Sequence, residues 1–211
     1  MQMKKMHLLL GGAYHDFEGF ADAVRPLFEA NGYAVDAIYD LTTLERLEEQ
    51  EIDIVLMYTC FSGDAADRAP NVAQIEALLR WVRSGGGLLA VHGTTVMPDV
   101  NAALRDLIGG AFVEHPPQFA FNVVPMVRAH PTTQGIRAFT VNDELYIQKI
   151  TEDTQVLMVT VDRGVAYPMV WTREEGRGRV AYVAPGHGSE VWDQPTYGRL
   201  LRQAAAWLTD A

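Results

Sequence analysis

The chain has 211 residues, 48% of them hydrophobic and 21% charged, with a net charge of −10. The composition is that of a globular protein, and the length suits one α/β domain over 1–211 with a sizeable core better than two small domains. The acidic balance, with no Lys/Arg-rich run, argues against nucleic acid and membrane surfaces as partners, and the one cysteine, Cys60, excludes an internal disulfide and a Cys-based zinc site.

The opening MQMKKMHLLLGG has a basic flank and an apolar run too short for a secretory leader. No stretch approaches the roughly 20 apolar residues of a membrane span. A cytoplasmic location is expected. Residues 6–10 read as a buried strand, followed by the glycine loop GGAYHDF. Residues 18–30 read as a helix with Phe20, Val24, Leu27 and Phe28 on one face, and with Pro26 set to kink it. Tyr33–Ile38 is a second strand, 42–47 a short helix capped by a threonine, and 52–59 a strongly apolar third strand. The helix Val72–Arg83 ends at a triple glycine, and 88–91 is the fourth strand. Alternation of strand and helix argues for a parallel sheet. Ala102–Ile108 is a further short helix.

From 119 to 171 the texture changes to β-rich runs with no long amphipathic helix between them. They read as an antiparallel extension of the sheet or an insertion beside it. Their outer faces would suit a homo-oligomer. Residues 180–184 form another buried strand, followed by PGHG, and 197–208 a closing helix.

Histidines His15, His92 and His187 each follow an apolar strand. If those strands are parallel, all three lie at the carboxyl edge of one sheet, where open α/β sheets bind ligands. Neutral imidazole ligates zinc and other divalent transition metals, so His15, His92 and His187 are candidate metal ligands. Imidazole also titrates near neutrality, so His92 and His187 are equally candidates for acid/base catalysis. Spacing along the chain does not separate the two readings. Glu144, in NDELYI, is the carboxylate expected to join them, as ligand or base, while Asp143 reads as a turn cap. Tyr146 is expected on the same strand face as Glu144, by the period of two. Tyr14, His115, Tyr146 and Trp192 are the candidate substrate contacts, since their rings pair apolar area with a polar tip. Trp171 reads as core, and His7 and His130 as structural. GGAYHDF lacks the G-x-G-x-x-G fingerprint, so no nucleotide cofactor is expected.

The ordered set GGAYHDF, GGGLLAVHGTT, HPTTQGI, NDELY and PMVWTREEGRGRVAYVAPGH resembles the ThuA-like (trehalose utilisation) family, over nearly the whole chain from Leu8 to the last helix. The resemblance implies a flavodoxin-like three-layer α/β sandwich with a mostly parallel sheet and a β-rich extension, related to class I glutamine amidotransferases. It also implies a link to trehalose and related disaccharides. In the amidotransferase relatives the turn after the fourth strand carries a cysteine nucleophile. Here it carries His92, and His187 is followed by Gly188, Ser189 and Glu190 rather than by a His-x-Glu pair. Glutaminase chemistry lacks its thiolate at the expected place. The expectation is a carbohydrate-processing enzyme acting on a disaccharide or a keto-sugar, with a small carbohydrate as partner and a divalent metal such as zinc as the cofactor that would fit. A non-catalytic sugar-binding or regulatory protein and a Cys60-dependent hydrolase are the rivals.

Overall fold

The computed structural model describes residues 3–210; Met1 and Gln2 of the basic flank lie outside them. In chain order the elements are β1 (Lys4–Gly12), α1 (Phe17–Glu29), β2 (Tyr33–Ile38), β3 (Ile54–Cys60), α2 (Val72–Arg83), β4 (Gly87–Val91), α3 (Ala102–Ile108) and β5 (Gly110–Glu114). Then come β6 (Phe119–Pro125), β7 (Phe139–Asp143), β8 (Ile147–Ile150), β9 (Gln155–Asp162), β10 (Val165–Glu175), β11 (Gly178–Val183), α4 (Ser189–Trp192) and α5 (Pro195–Thr209).

A nine-stranded sheet runs β2-β1-β3-β4-β11-β10-β9-β6-β7. The first five of these strands are parallel. The remaining four join antiparallel. The protein is thus mixed α/β, with parallel strands forming the larger part of the sheet. Every residue of β3 and β4 is buried, which is why both read as unbroken apolar runs rather than alternating ones. Helix α1 packs with α5, and α2 with α3, to cover those strands.

Both expectations for the β-rich segment hold a part of what is seen. Strands β6, β7, β9 and β10 extend the main sheet, while β5 and β8 form a separate antiparallel pair. Helix α1 buries Phe20, Val24 and Phe28, and runs through Pro26, which falls in its last turn. Its start is fixed by the Asp16 carboxylate, which accepts the Gly19 N–H at 2.9 Å. Helix α2 opens on a capping box between Asn71 and Gln74.

Two local expectations are corrected. The helix expected over 42–47 is a 3-10 turn, Leu41–Arg46, and its cap is Asp40, whose carboxylate accepts the Thr42 N–H. The Asp40 carboxylate, two residues before the threonine pair, reaches the orphan Thr42 donor first. Nor do Glu144 and Tyr146 share a strand face. Strand β7 stops at Asp143 and β8 starts at Ile147, so 144–146 is an irregular connection to which a period of two does not apply.

Candidate metal centre

Strands β1, β3, β4 and β11 are parallel neighbours, so the residues that follow them gather along one edge of the sheet. His15 stands just beyond β1, Cys60 closes β3, His92 follows β4 directly, and His187 lies in the loop after β11. His92 adopts φ 47°, a left-handed conformation that bulky residues seldom take. The chain turns there from β4 into a 3-10 turn, His92–Thr95. The bend is held from both sides. The Tyr182 hydroxyl donates to the His92 carbonyl at 2.8 Å, and the Thr94 hydroxyl donates to Met57 O at 2.7 Å. Gly93 allows a close approach here: a Cβ on it would stand 2.9 Å from Thr59 O and 3.1 Å from His15 Cε1. Gly186 does the same for the opposite loop, with φ 154° and a Cβ position 3.1 Å from that of His92.

The orientation of the rings follows from their backbone partners. His92 Nδ1 lies 2.7 Å from Ala184 O, and His15 Nδ1 lies 2.9 Å from Ala13 O. A carbonyl only accepts, so each Nδ1 carries the proton and each Nε2 presents a lone pair. Both Nε2 atoms are buried and have no hydrogen-bond partner, and His187 Nδ1 shares that condition. These three nitrogens converge with the Glu144 carboxylate. His92 Nε2 is 3.5 Å and His187 Nδ1 is 3.3 Å from Glu144 Oε2. One ligand atom from each of His15, His92, Glu144 and His187 can be chosen so that all four lie within 4.8 Å of one another. Ligand atoms about 2 Å from a zinc ion stand roughly 3.3 Å apart in a tetrahedron, so these four residues could hold an ion after small side-chain rotations. Buried nitrogens without a hydrogen-bond partner, two of them on rings fixed by a backbone carbonyl on the far side, suit a metal site and are what a packed core avoids.

Electrostatics favour the ligating forms of His15 and Glu144, and the protonated form of His187 while it faces the carboxylate. Burial, reinforced by the neighbouring His92 and His187, pushes the His15 pKa down to about 4, so His15 is neutral at pH 7. His187 is shifted upward by its contact with the Glu144 carboxylate, against the effect of burial. Burial also acts on Glu144, but the contacts with His187 and His92 outweigh it and hold the carboxyl well below the usual carboxylate range. The Cys60 thiol is pushed up by burial, so it is not a thiolate at neutral pH.

The cluster opens into a cavity of about 340 Å3, whose walls include Tyr14, Phe112, His115 and Tyr146, with Cys60 and Ser62 at the side. Tyr14 is exposed at its mouth and holds φ 67°. Tyr146 is buried and stacks on His92, with centroids 4.3 Å apart. His115 approaches the cluster from β5, its Nε2 3.7 Å from Glu144 Oε1. Trp192 is placed elsewhere. It is buried below the loop after β11, edge-on to Phe20 and Tyr58, and its indole N–H donates to Gly186 O at 2.6 Å. It does not line this cavity. Trp171 is core, stacked on Tyr182. His7 meets the Thr43 hydroxyl, and His130 caps a 3-10 turn.

One residue has a larger part than its sequence suggested. Asp143, fully buried, accepts N–H bonds from Glu144 at 2.9 Å, Gly186 at 2.7 Å and His187 at 3.2 Å. It therefore ties the connection carrying Glu144 to the loop carrying His187. The turn-cap expectation covers only the first of these bonds. The only sequence signal was its place beside Glu144.

The fold and the site define an α/β protein with a three-histidine, one-carboxylate cluster at the carboxyl edge of its parallel strands. The family model described as ThuA, trehalose utilisation, matches residues 8–208, and the chain belongs to that family. In structure it is similar to a ThuA-like protein from Parabacteroides merdae, at 16% identity and a TM-score of 0.83 over 98% of this chain and 90% of that one. It is also similar to a ThuA-like protein from Bacteroides uniformis, at 19% identity and a TM-score of 0.76 over 99% of this chain and 93% of that one. A β-galactosidase from Rahnella sp. R3 shares the fold at 16% identity and a TM-score of 0.69, over 98% of this chain but 31% of that one. No curated protein matches the chain. Among the described residues no helix is long and apolar enough to cross a membrane.

Proposed function

We propose that this protein is a metal-dependent, cytoplasmic enzyme of carbohydrate metabolism, acting on a trehalose-related disaccharide or its keto derivative. The observation that carries the metal part is the convergence of three buried, unpartnered imidazole nitrogens on one carboxylate. The sugar part rests on the family, whose description is trehalose utilisation. The flavodoxin-like relationship is part of the same reading, supported by the order β2-β1-β3-β4-β11 of the parallel strands.

His15, His92 and His187 would hold the ion, with Glu144 beside it as a further ligand or as the base. A bound divalent ion supplies a Lewis acid that polarises a sugar oxygen. The chain's own groups do the rest. The tied Nδ1 atoms of His15 and His92 keep both rings in the ligating tautomer. Glu144, held ionised, accepts a proton at Oε1, on the side facing His115. His115 Nε2 sits within reach to pass that proton on. Phe112 and Tyr146 limit water on one wall of the cavity, and Tyr14 offers its hydroxyl at the mouth.

One contact favours a second reading. The Glu144–His187 pair at 3.3 Å is also an acid/base couple that works without an ion. Turnover of trehalose and of its keto derivative by chelator-treated protein separates the two. The metal reading predicts loss of turnover on chelation and recovery on adding back zinc or manganese. Turnover that survives full chelation and falls in Glu144→Gln would overturn it in favour of the acid/base couple.

A further inference from the structure

A second cleft, of about 660 Å3, adjoins the metal-side cavity, and His115 borders both. Its other walls include Phe119 at the start of β6 with Gln118 just before it, Asp162 from the end of β9 and Tyr167 from β10, with Glu114 at the end of β5 beside His115. His115 Nδ1 is spent on Pro116 O at 2.9 Å, which leaves Nε2 on the Glu144 side of the partition. The following pair Pro116-Pro117 stiffens that partition.

The chemistry of the cleft matches a sugar ring. Tyr167 and Phe119 are half-buried aromatics with apolar area to offer, and the carboxylates of Glu114 and Asp162 with the Gln118 amide offer acceptors for hydroxyl groups. The metal-side cavity lies at the low end of the size range of small-molecule sites, roughly 300–1,000 Å3, and is closed at the back by the cluster. A ligand longer than one ring has this adjoining cleft to extend into.

We propose that this cleft is a subsite for the second ring of a two-ring saccharide whose first ring occupies the metal-side cavity, with His115 between the rings. The inference rests on the sugar reading given above. The substrate is therefore selected by length as well as by the reacting ring.

Isothermal titration of the metal-loaded protein with trehalose and with glucose tests this, in wild type, Tyr167→Ala and Gln118→Ala. The expected result is a fall in trehalose affinity of about tenfold for Tyr167→Ala and about threefold for Gln118→Ala, with glucose affinity unchanged. Gln118 is exposed, so its variant retains the fold and keeps the test open if Tyr167→Ala does not. Trehalose affinity unchanged in the folded variants, or trehalose and glucose weakened alike, would overturn the subsite while leaving the sugar reading intact. Failure of metal-loaded wild type to bind either sugar would instead overturn the sugar reading, and the subsite with it.

Discussion

In the parallel half of the sheet, His15, His92 and His187 stand within a few residues of the ends of β1, β4 and β11, strands with little or no wet surface. In the antiparallel half, Glu144 and His115 stand on connections, after β7 at the sheet's edge and after β5 in the small two-stranded pair. The first set is positioned by the ends of buried strands, with the His15 and His92 rings oriented by backbone carbonyls. Glu144 is instead positioned through the Asp143 carboxylate, whose hydrogen bonds cross to the loop carrying His187. In a cluster built this way His15 and His92 are preorganised, while Glu144 and His187 share their dependence on one buried carboxylate.

The largest expected effect comes from cutting that tie. Asp143→Ala removes the acceptor of all three N–H bonds, so Glu144 and His187 lose their common anchor. Metal affinity should fall about 10–100-fold, as for other outer-shell partners of metal ligands. Unfolding free energy should drop by about 1–3 kcal/mol, from buried groups left unsatisfied. Competition titration with a chromogenic chelator and a urea melt read the two effects. Unchanged metal affinity in a folded variant would remove Asp143 from the site.

An intermediate effect is expected from acid on the metal-free protein. The unfolded chain takes up a proton on His15 near the ordinary histidine value of about 6.5, while the folded chain resists until about 4. Between those values the unfolded state binds more protons, so stability is present above the window and is lost as pH falls through it. Thermal melts of chelated wild type and His15→Gln from pH 7 to pH 4.5 check the sign. The wild type should lose more stability across the window than the variant. Parallel curves would mean that His15 is not buried neutral.

The smallest effect tests the far side of the loop after β11. Trp192→Phe removes the hydrogen bond to Gly186 O and should cost about 1 kcal/mol of stability, with metal content and sugar affinity kept. A loss of sugar affinity at unchanged stability would return Trp192 to the substrate site.

The same contrast explains what was legible in the sequence. The parallel strands announce themselves as short apolar runs, and a histidine just past such a run is placed at the carboxyl edge by topology alone. His15, His92 and His187 could therefore be grouped before any coordinates. The connection 144–146 has no period to read, so the shared face assumed for Glu144 and Tyr146 was not available to them. Trp192 follows His187 closely in sequence, but α4 turns it inward against Phe20 and Tyr58. Asp143 was undervalued because its partners at 186 and 187 are far away in sequence, and no local pattern records a bond between loops. The short helix over 42–47 went astray for a smaller reason, a competing cap at Asp40, two positions before Thr42.

The central claim is that the four-residue cluster holds a metal ion. Elemental mass spectrometry on untagged wild-type, His92→Ala and His187→Ala protein, each checked for folding by circular dichroism, tests it most directly. His187, in a half-buried loop, serves as the variant less exposed to folding loss than the fully buried His92. The account predicts close to one divalent transition-metal ion per wild-type chain, and little or none in either variant. Wild type that carries no metal and takes up none when zinc, manganese or iron is supplied, or variants that retain it in full, would contradict the account.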